Sequence, residues 1–95
     1  MIFIAHRGNL FGPQPDKENT ISYIDTALQD GFAVEVDVLD YNEKGMFTLG
    51  HDKAQEEVDV KYITQKNLFA HAKNYKSLTG LLKHGAHCFY HTDEE

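Results

Sequence analysis

Two acidic residues that lie two positions apart, Glu35 and Asp37, interrupt an apolar stretch of the sequence. In a strand, residues i and i+2 point to the same side. Two carboxylates placed so closely repel each other and resist desolvation unless a cation lies between them, and hard divalent ions take two or more carboxylates. The pair therefore predicts a divalent metal site, and the alternative is an ordinary solvent-facing pair of acidic residues.

A histidine and an arginine, His6 and Arg7, directly follow a short apolar run, and His51 stands in a similar position later in the chain. A guanidinium binds two phosphate oxygens at once, and imidazole transfers protons near neutral pH. Cleavage of a phosphodiester by acid–base chemistry requires one group that accepts a proton and one that donates it. Two histidines meet that requirement, although a strand-capping pair and a surface histidine are the simpler alternatives.

The elements that would position these residues are read from hydrophobic periodicity and from turn residues. We predict strands at 2–5, 32–39, 46–49, 68–72 and 86–90, and helices at 20–29 and 75–83. Asn19 is the predicted N-cap of the first helix, and the charged segment 53–62 is predicted to be irregular. Strands that alternate with helices favour an α/β fold with a largely parallel sheet and helices outside. The polar residues then follow the strand ends, where barrels of this class carry their active sites.

Taken together, these motifs resemble the glycerophosphodiester phosphodiesterase family over roughly the first 52 residues. The matching residues are His6-Arg7-Gly8, Glu18-Asn19-Thr20, Gly31, Glu35-Val36-Asp37-Val38 and His51-Asp52. The resemblance implies a barrel of the phosphatidylinositol phospholipase C-like type. It also implies that Glu35 and Asp37 bind the metal, that His6 and His51 are the acid–base pair, that Arg7 binds phosphate, and that Glu18 orders the site.

One segment departs from the family pattern. Where the family has a third carboxylate ligand followed two residues later by lysine, this sequence has His71 and Lys73. Imidazole binds divalent ions but shifts the preference from Ca²⁺ towards Mn²⁺ or Zn²⁺. We therefore expect Mg²⁺, Mn²⁺ or Ca²⁺ in general, and Mn²⁺ or Zn²⁺ if His71 is a ligand. A histidine without a ligand role is the alternative, and Lys73 is expected to contact phosphate.

The predicted fold is a partial (β/α) TIM-type barrel of about five strands, formed by residues 1–95 as a single incomplete domain. A complete eight-stranded barrel takes about 250 residues, so the 95 residues of this chain predict a truncated fragment or a reduced, open relative. We favour truncation.

The composition of the chain limits the kinds of partner that we expect it to bind. The formal net charge is −6, without a cluster of lysine and arginine, which argues against nucleic acid and anionic membranes as partners. The sequence contains no apolar run of the length that a membrane span needs, so we expect no membrane insertion and a cytoplasmic location. A small-molecule phosphodiester is the expected substrate, and the oligomeric state stays open.

The expected reaction is metal-dependent hydrolysis of a glycerophosphodiester-type substrate to a phosphomonoester and an alcohol. One rival is a lyase similar to phospholipase D; the other is a non-catalytic phosphate- or metal-binding module, or an inactive fragment of such an enzyme. A second cluster contains histidines and the single cysteine, namely His84, His87, His91 and Cys88. Such a cluster suggests a further metal site, but helix-end and strand-face histidines without ligands are commoner.

Overall fold

The computed structural model describes residues 3–90 of the chain. Six strands and three helices follow one another along this range, and the first helix and the second strand are each nine residues long. In chain order they are β1 (Ile4–His6), α1 (Ile21–Gln29), β2 (Ala33–Tyr41), β3 (Phe47–Leu49), β4 (Glu56–Val58), α2 (Val60–Ile63), β5 (Leu68–Ala72), α3 (Tyr75–Lys83) and β6 (His87–Tyr90).

All six strands form one mixed sheet around β2, in which the order is β4-β3-β2-β5-β6 and β1 also pairs with β2. The β1–β2, β2–β5 and β5–β6 pairs are parallel, whereas β2–β3 and β3–β4 are antiparallel. The predicted partial TIM-type barrel, with its parallel sheet and helices outside, is therefore wrong.

The reason for this difference is the tight turn between β2 and β3. The amide of Gly45 donates to the carbonyl of Asn42 at 3.0 Å, and Gly45 has a φ of 80°, which glycine adopts without strain. A connection this short can only return the chain as a hairpin, because parallel neighbours need a crossover of a dozen or more residues. The predicted order of strands and helices did not take the geometry of this turn into account.

The core lies on one face of the sheet. Val34, Val36 and Val38 of β2 are each 0% exposed, as the alternation of this strand predicts. Residues from all three helices join the same buried cluster, including Ile24, Ile63 and Leu81. Burial of this apolar surface is the main stabilising contribution that the fold offers. The alternate residues of β2, Glu35 and Asp37, therefore point away from this core.

The segment 53–62, predicted to be irregular, instead contains β4 and the first three residues of α2. Asp59 caps α2, since its side chain accepts a hydrogen bond from the amide of Tyr62. The high charge of this segment is compatible with an edge strand and a one-turn helix at the surface. Within residues 3–90, no helix has the length and apolar character needed to cross a membrane.

Candidate functional site

The candidate site lies at a break in strand pairing along one edge of β2. β5 pairs with residues 34–38 of β2, so β1 and β3 share the opposite edge. The pairing with β1 ends at His6 and Glu35, and the pairing with β3 begins at Val38 and Leu49. The segments that leave β1 and β3 therefore meet beside Asp37, which lies between these two pairings.

Two backbone hydrogen bonds fix these segments. The amide of Arg7 donates to the carbonyl of Glu35 at 2.6 Å, and the amide of Gly50 donates to the carbonyl of Asp37 at 3.0 Å. Because these two carbonyls lie two residues apart on the same edge of β2, the side chains of Arg7 and His51 reach the same place.

Asp37 is at the centre of the site and is only 1% exposed. Its Oδ2 atom lies 2.8 Å from Nε of Arg7 and 3.4 Å from Nδ1 of His51, and it accepts a hydrogen bond from Nδ2 of Asn19 at 3.2 Å. Its Oδ1 atom lies 3.2 Å from Nδ1 of His71. The carboxylate is thus buried among side-chain nitrogen atoms, and Asn19 donates a hydrogen bond to it, in keeping with the need of a buried charge for polar partners.

Asn19 holds Asp37 from two directions. Besides donating to the carboxylate, its side-chain Oδ1 accepts the backbone amide of Asp37 at 2.9 Å. Asn19 has a φ of 62°, in the left-handed region that asparagine tolerates better than most residues. The prediction that Asn19 is the N-cap of α1 is wrong, because Thr20 occupies that position, without a side-chain capping hydrogen bond.

Arg7 links the carboxylates to His51. Its Nη1 donates to Oε1 of Glu18 at 3.2 Å, and its Nη2 lies 2.8 Å from Nδ1 of His51. Its Nε is buried and has no well-aligned hydrogen-bond acceptor within the described part of the chain, although Asp37 is close by. Arg7 also has a φ of 58°. An unfavourable backbone angle together with a poorly satisfied buried donor indicates that this placement has an energetic cost.

Glu18 is the second anchor of the guanidinium. Its Oε2 accepts hydrogen bonds from Nδ2 of Asn9 and from the amide of Gln14, both at 3.0 Å. Burial by itself raises the pKa of the Glu18 carboxyl, but the hydrogen bonds from Asn9, Arg7 and Gln14 outweigh that effect and lower the pKa below its ordinary value. Glu18 therefore stays ionised at neutral pH and holds Arg7 in place.

Lys73 approaches the site from the end of β5. Its Nζ atom lies 3.4 Å from Nδ1 of His51, and its amide donates to the carbonyl of Val38 at 3.0 Å. His51 consequently lies between the basic side chains of Arg7 and Lys73, with Asp37 behind it. Two basic side chains therefore surround this imidazole, and the carboxylates of Glu18 and Asp37 balance the charge of Arg7.

His71 lies on the opposite side of Asp37 from the β1 segment. Its ring stacks on Phe89 with a centroid distance of 4.9 Å and an interplanar angle of 5°. Burial lowers the pKa of His71, and the charge of Lys73 adds to that effect, whereas Asp37 opposes it without cancelling it. A neutral ring at physiological pH follows from this balance.

His6 forms a separate pair with Glu35, whose Oε2 lies 3.2 Å from Nε2 of the imidazole. The His6 side chain is 56% exposed, so this pair is open to solvent. The structure therefore brings Arg7, Glu18, Asp37, His51, His71 and Lys73 into one connected cluster, and it joins His6 to Glu35 beside that cluster.

The expected metal ligands do not face a common empty centre. The Glu35 carboxylate is turned towards His6, and both oxygens of Asp37 are engaged by nitrogen atoms. Among residues 3–90, no group of three histidine, cysteine or acidic side chains is arranged to hold a metal ion. As arranged, these side chains do not fit a divalent cation.

The second histidine cluster is also dispersed. His84 pairs with the hydroxyl of Tyr41 at 3.0 Å, whereas the ring of His87 lies 5.2 Å from that of Phe69. Burial raises the pKa of the Cys88 thiol, which makes it a poorer metal ligand. His91 lies outside the described residues. The described members of this cluster, His84, His87 and Cys88, form no group of three that could hold a metal ion.

A cleft of about 420 Å³ opens beside the site. Its walls come from the loop after β1 and from the segment after β3, and they include Arg7, Glu18, Asn19, His51, Asp52, Lys53 and Gln55. The sequence did not predict that loop residues such as Gln55 line a cleft. It also did not predict that Asn19 holds Asp37 in place. Arg7 and His51 both line this cleft.

Comparisons with known proteins add no relative: the chain matches no protein-family model, and neither the curated proteins nor the solved structures yield a significant match.

Proposed function

We propose that this protein binds a small phosphodiester in the cleft beside Asp37 and hydrolyses it to a phosphomonoester and an alcohol. The observation that carries the proposal is the convergence of Arg7, His51 and Lys73. They come from three separate segments, yet both cationic side chains lie within 3.4 Å of the same imidazole nitrogen. A dianionic or monoanionic phosphate group is the ligand that such a set of donors suits best.

Arg7 is the expected phosphate-binding group. Its side chain is 21% exposed and lines the cleft, while Glu18 holds it from the other side. A guanidinium whose orientation is fixed in advance loses little entropy when it binds an oxyanion. Lys73 supplies a second basic group next to His51. It is not one of the described residues that line the cleft, so it would stabilise developing negative charge at longer range than Arg7.

The proton transfers are assigned to histidines. His51 lies directly beside the proposed phosphate position, and His6 is exposed at the neighbouring strand end, where Glu35 orients its ring. One imidazole would take the proton of a hydroxyl neighbouring the diester, whose oxygen attacks phosphorus, and the other would protonate the leaving alcohol. Water then opens the cyclic phosphate. No step is assigned to a metal ion, because the carboxylates do not fit one.

The test is hydrolysis by the full chain of glycerophosphocholine, whose glycerol carries the neighbouring hydroxyl that the proposed attack requires. We expect His51→Ala and Arg7→Gln to reduce kcat/KM by about 10²-fold or more, the range typical of lost acid–base or electrostatic contributions. His87→Ala is the matched control, since His87 is an exposed histidine whose ring lies against Phe69, which is not one of the site residues. Turnover that is unchanged in His51→Ala would refute the proposed catalytic site.

A non-catalytic phosphate-binding module is the second candidate. It is favoured by the contacts of Asp37, because both oxygens of this buried carboxylate at the centre of the site already lie against the nitrogen atoms of other side chains. Binding of dimethyl phosphate that depends on Arg7, without turnover of glycerophosphocholine, would select this candidate.

A further inference from the structure

The carboxylate of Asp37 is already paired with a cationic side chain, that of Arg7. Nε of Arg7 lies 2.8 Å from its Oδ2 atom, and the carboxylate side chain is 1% exposed. The residues around it complete the shell: Asn19 and His51 lie on Oδ2, and His71 lies on Oδ1. A divalent ion that bound this carboxylate would have to displace the guanidinium.

We infer that Arg7 is the resident cation of Asp37 and excludes divalent metal ions from this carboxylate. The inference does not depend on the proposed function, because it concerns only which positive charge Asp37 holds. It explains why two acidic residues with the spacing of a metal site are not arranged as one: Glu35 is paired with His6, and Asp37 is paired with Arg7.

The ion pair between Arg7 and Asp37 does not have ideal geometry. Arg7 has a left-handed φ of 58°, and its buried Nε lacks a well-aligned acceptor within the described range. Removal of one partner from a buried ion pair leaves the other charge uncompensated, which is strongly unfavourable. Without Arg7, Asp37 would therefore have a strong tendency to take up a cation from solution.

Suitable additional donors surround the position that Arg7 would vacate. His51 and His71 approach the two oxygens of Asp37 at 3.4 Å and 3.2 Å. Carboxylate together with imidazole suits Mn²⁺ better than Ca²⁺, because imidazole is a nitrogen ligand of intermediate softness. Mn²⁺ is therefore the appropriate probe, and replacement of the guanidinium by a neutral side chain of similar polarity is the appropriate change.

The experiment measures Mn²⁺ binding from the electron paramagnetic resonance signal of the free ion, with the full chain at neutral pH. We expect Arg7→Gln to bind one Mn²⁺ at least about tenfold more tightly than the wild-type protein, since a single adjacent charge commonly contributes an energy of that order at a partly buried site. Lys53→Gln is the matched control, because Lys53 is an exposed cation that lines the same cleft, and its effect should stay within about twofold.

Two further variants keep the test decisive. Asp37→Asn, introduced into Arg7→Gln, must abolish the gain if the ion binds where the guanidinium was. Arg7→Lys retains a positive charge with less change to the fold, and we expect it to bind Mn²⁺ as weakly as the wild type, with circular dichroism confirming that each variant is folded. The inference is overturned if Arg7→Gln binds no more tightly than Lys53→Gln, or if the wild-type protein binds one Mn²⁺ tightly through Asp37.

Discussion

The two hydrogen bonds between Asn19 and Asp37 lead to a quantitative prediction about stability. Asn19→Ala removes a donor to a buried carboxylate, which typically contributes about 1.5–3 kcal/mol. It also leaves the buried amide of Asp37 without the acceptor that it has at 2.9 Å, at a cost of about 1–3 kcal/mol. Alanine at a φ of 62° adds about 1 kcal/mol. These contributions overlap, so we expect a loss of about 3–5 kcal/mol in the free energy of unfolding.

This loss is large beside the roughly 5–14 kcal/mol that a chain of this length is expected to have. The assay is urea denaturation followed by circular dichroism, with stability obtained by linear extrapolation. Asn19→Gly is expected to be about 1 kcal/mol more stable than Asn19→Ala, because glycine accepts the left-handed conformation without strain. Asn67→Ala is the control, since Asn67 is exposed, and its effect should be within about 0.5 kcal/mol. A loss below about 1 kcal/mol for Asn19→Ala would refute this view of the site.

Two further predictions concern Glu18 and Gly80. Because the pKa of Glu18 is lower in the folded protein than its ordinary value, its contribution to stability is complete above about pH 4.3 and is lost as pH falls through the folded-state pKa. Urea denaturation of Glu18→Gln between pH 3 and pH 7 should therefore show a shallower acid-induced loss than the wild type, and an unchanged slope would contradict the prediction. Gly80→Ala would normally stabilise a helix by about 0.5–1 kcal/mol, but its Cβ would lie 2.5 Å from Cγ of Tyr41, so we expect destabilisation of about 1–3 kcal/mol. Thr79→Ala, an exposed position on the same helix, should stay within about 0.5 kcal/mol, and a more stable Gly80→Ala variant would show that Tyr41 moves aside.

The sequence predicts those parts of the fold that depend on local patterns. The alternation in β2 predicts its apolar face, and Val34, Val36 and Val38 are buried accordingly; it does not predict that Asp37, on the other face, is buried as well. The helix at 75–83 is also confirmed, with Asn74 as its N-cap. Strand direction was not predicted correctly. Whether β3 runs parallel or antiparallel to β2 depends on the turn at 42–45, and the order of strands and helices along the chain does not contain that information.

The candidate site shows the same division. That Arg7, Asp37 and His51 are polar residues next to strand ends is visible in the sequence. Their contacts depend on the register, which places His6 opposite Glu35 and Asp37 opposite His71. The role of Asn19 is not predictable locally, because asparagine before a helix fits an N-cap as well as a left-handed position. Only its tertiary partner, Asp37, decides between the two.

The most direct test of the phosphate site is a nuclear magnetic resonance titration of the histidine ring protons with dimethyl phosphate, a diester that is too unreactive to be consumed. If Arg7, His51 and Lys73 form the binding site, the ring resonances of His51 shift in a saturable manner, and those of His84, which is paired with Tyr41, do not. Arg7→Gln should weaken the binding by about tenfold, the effect of one lost charge-assisted contact. Equal shifts for His51 and His84, or shifts of His51 that are unchanged in Arg7→Gln, would contradict the proposed site.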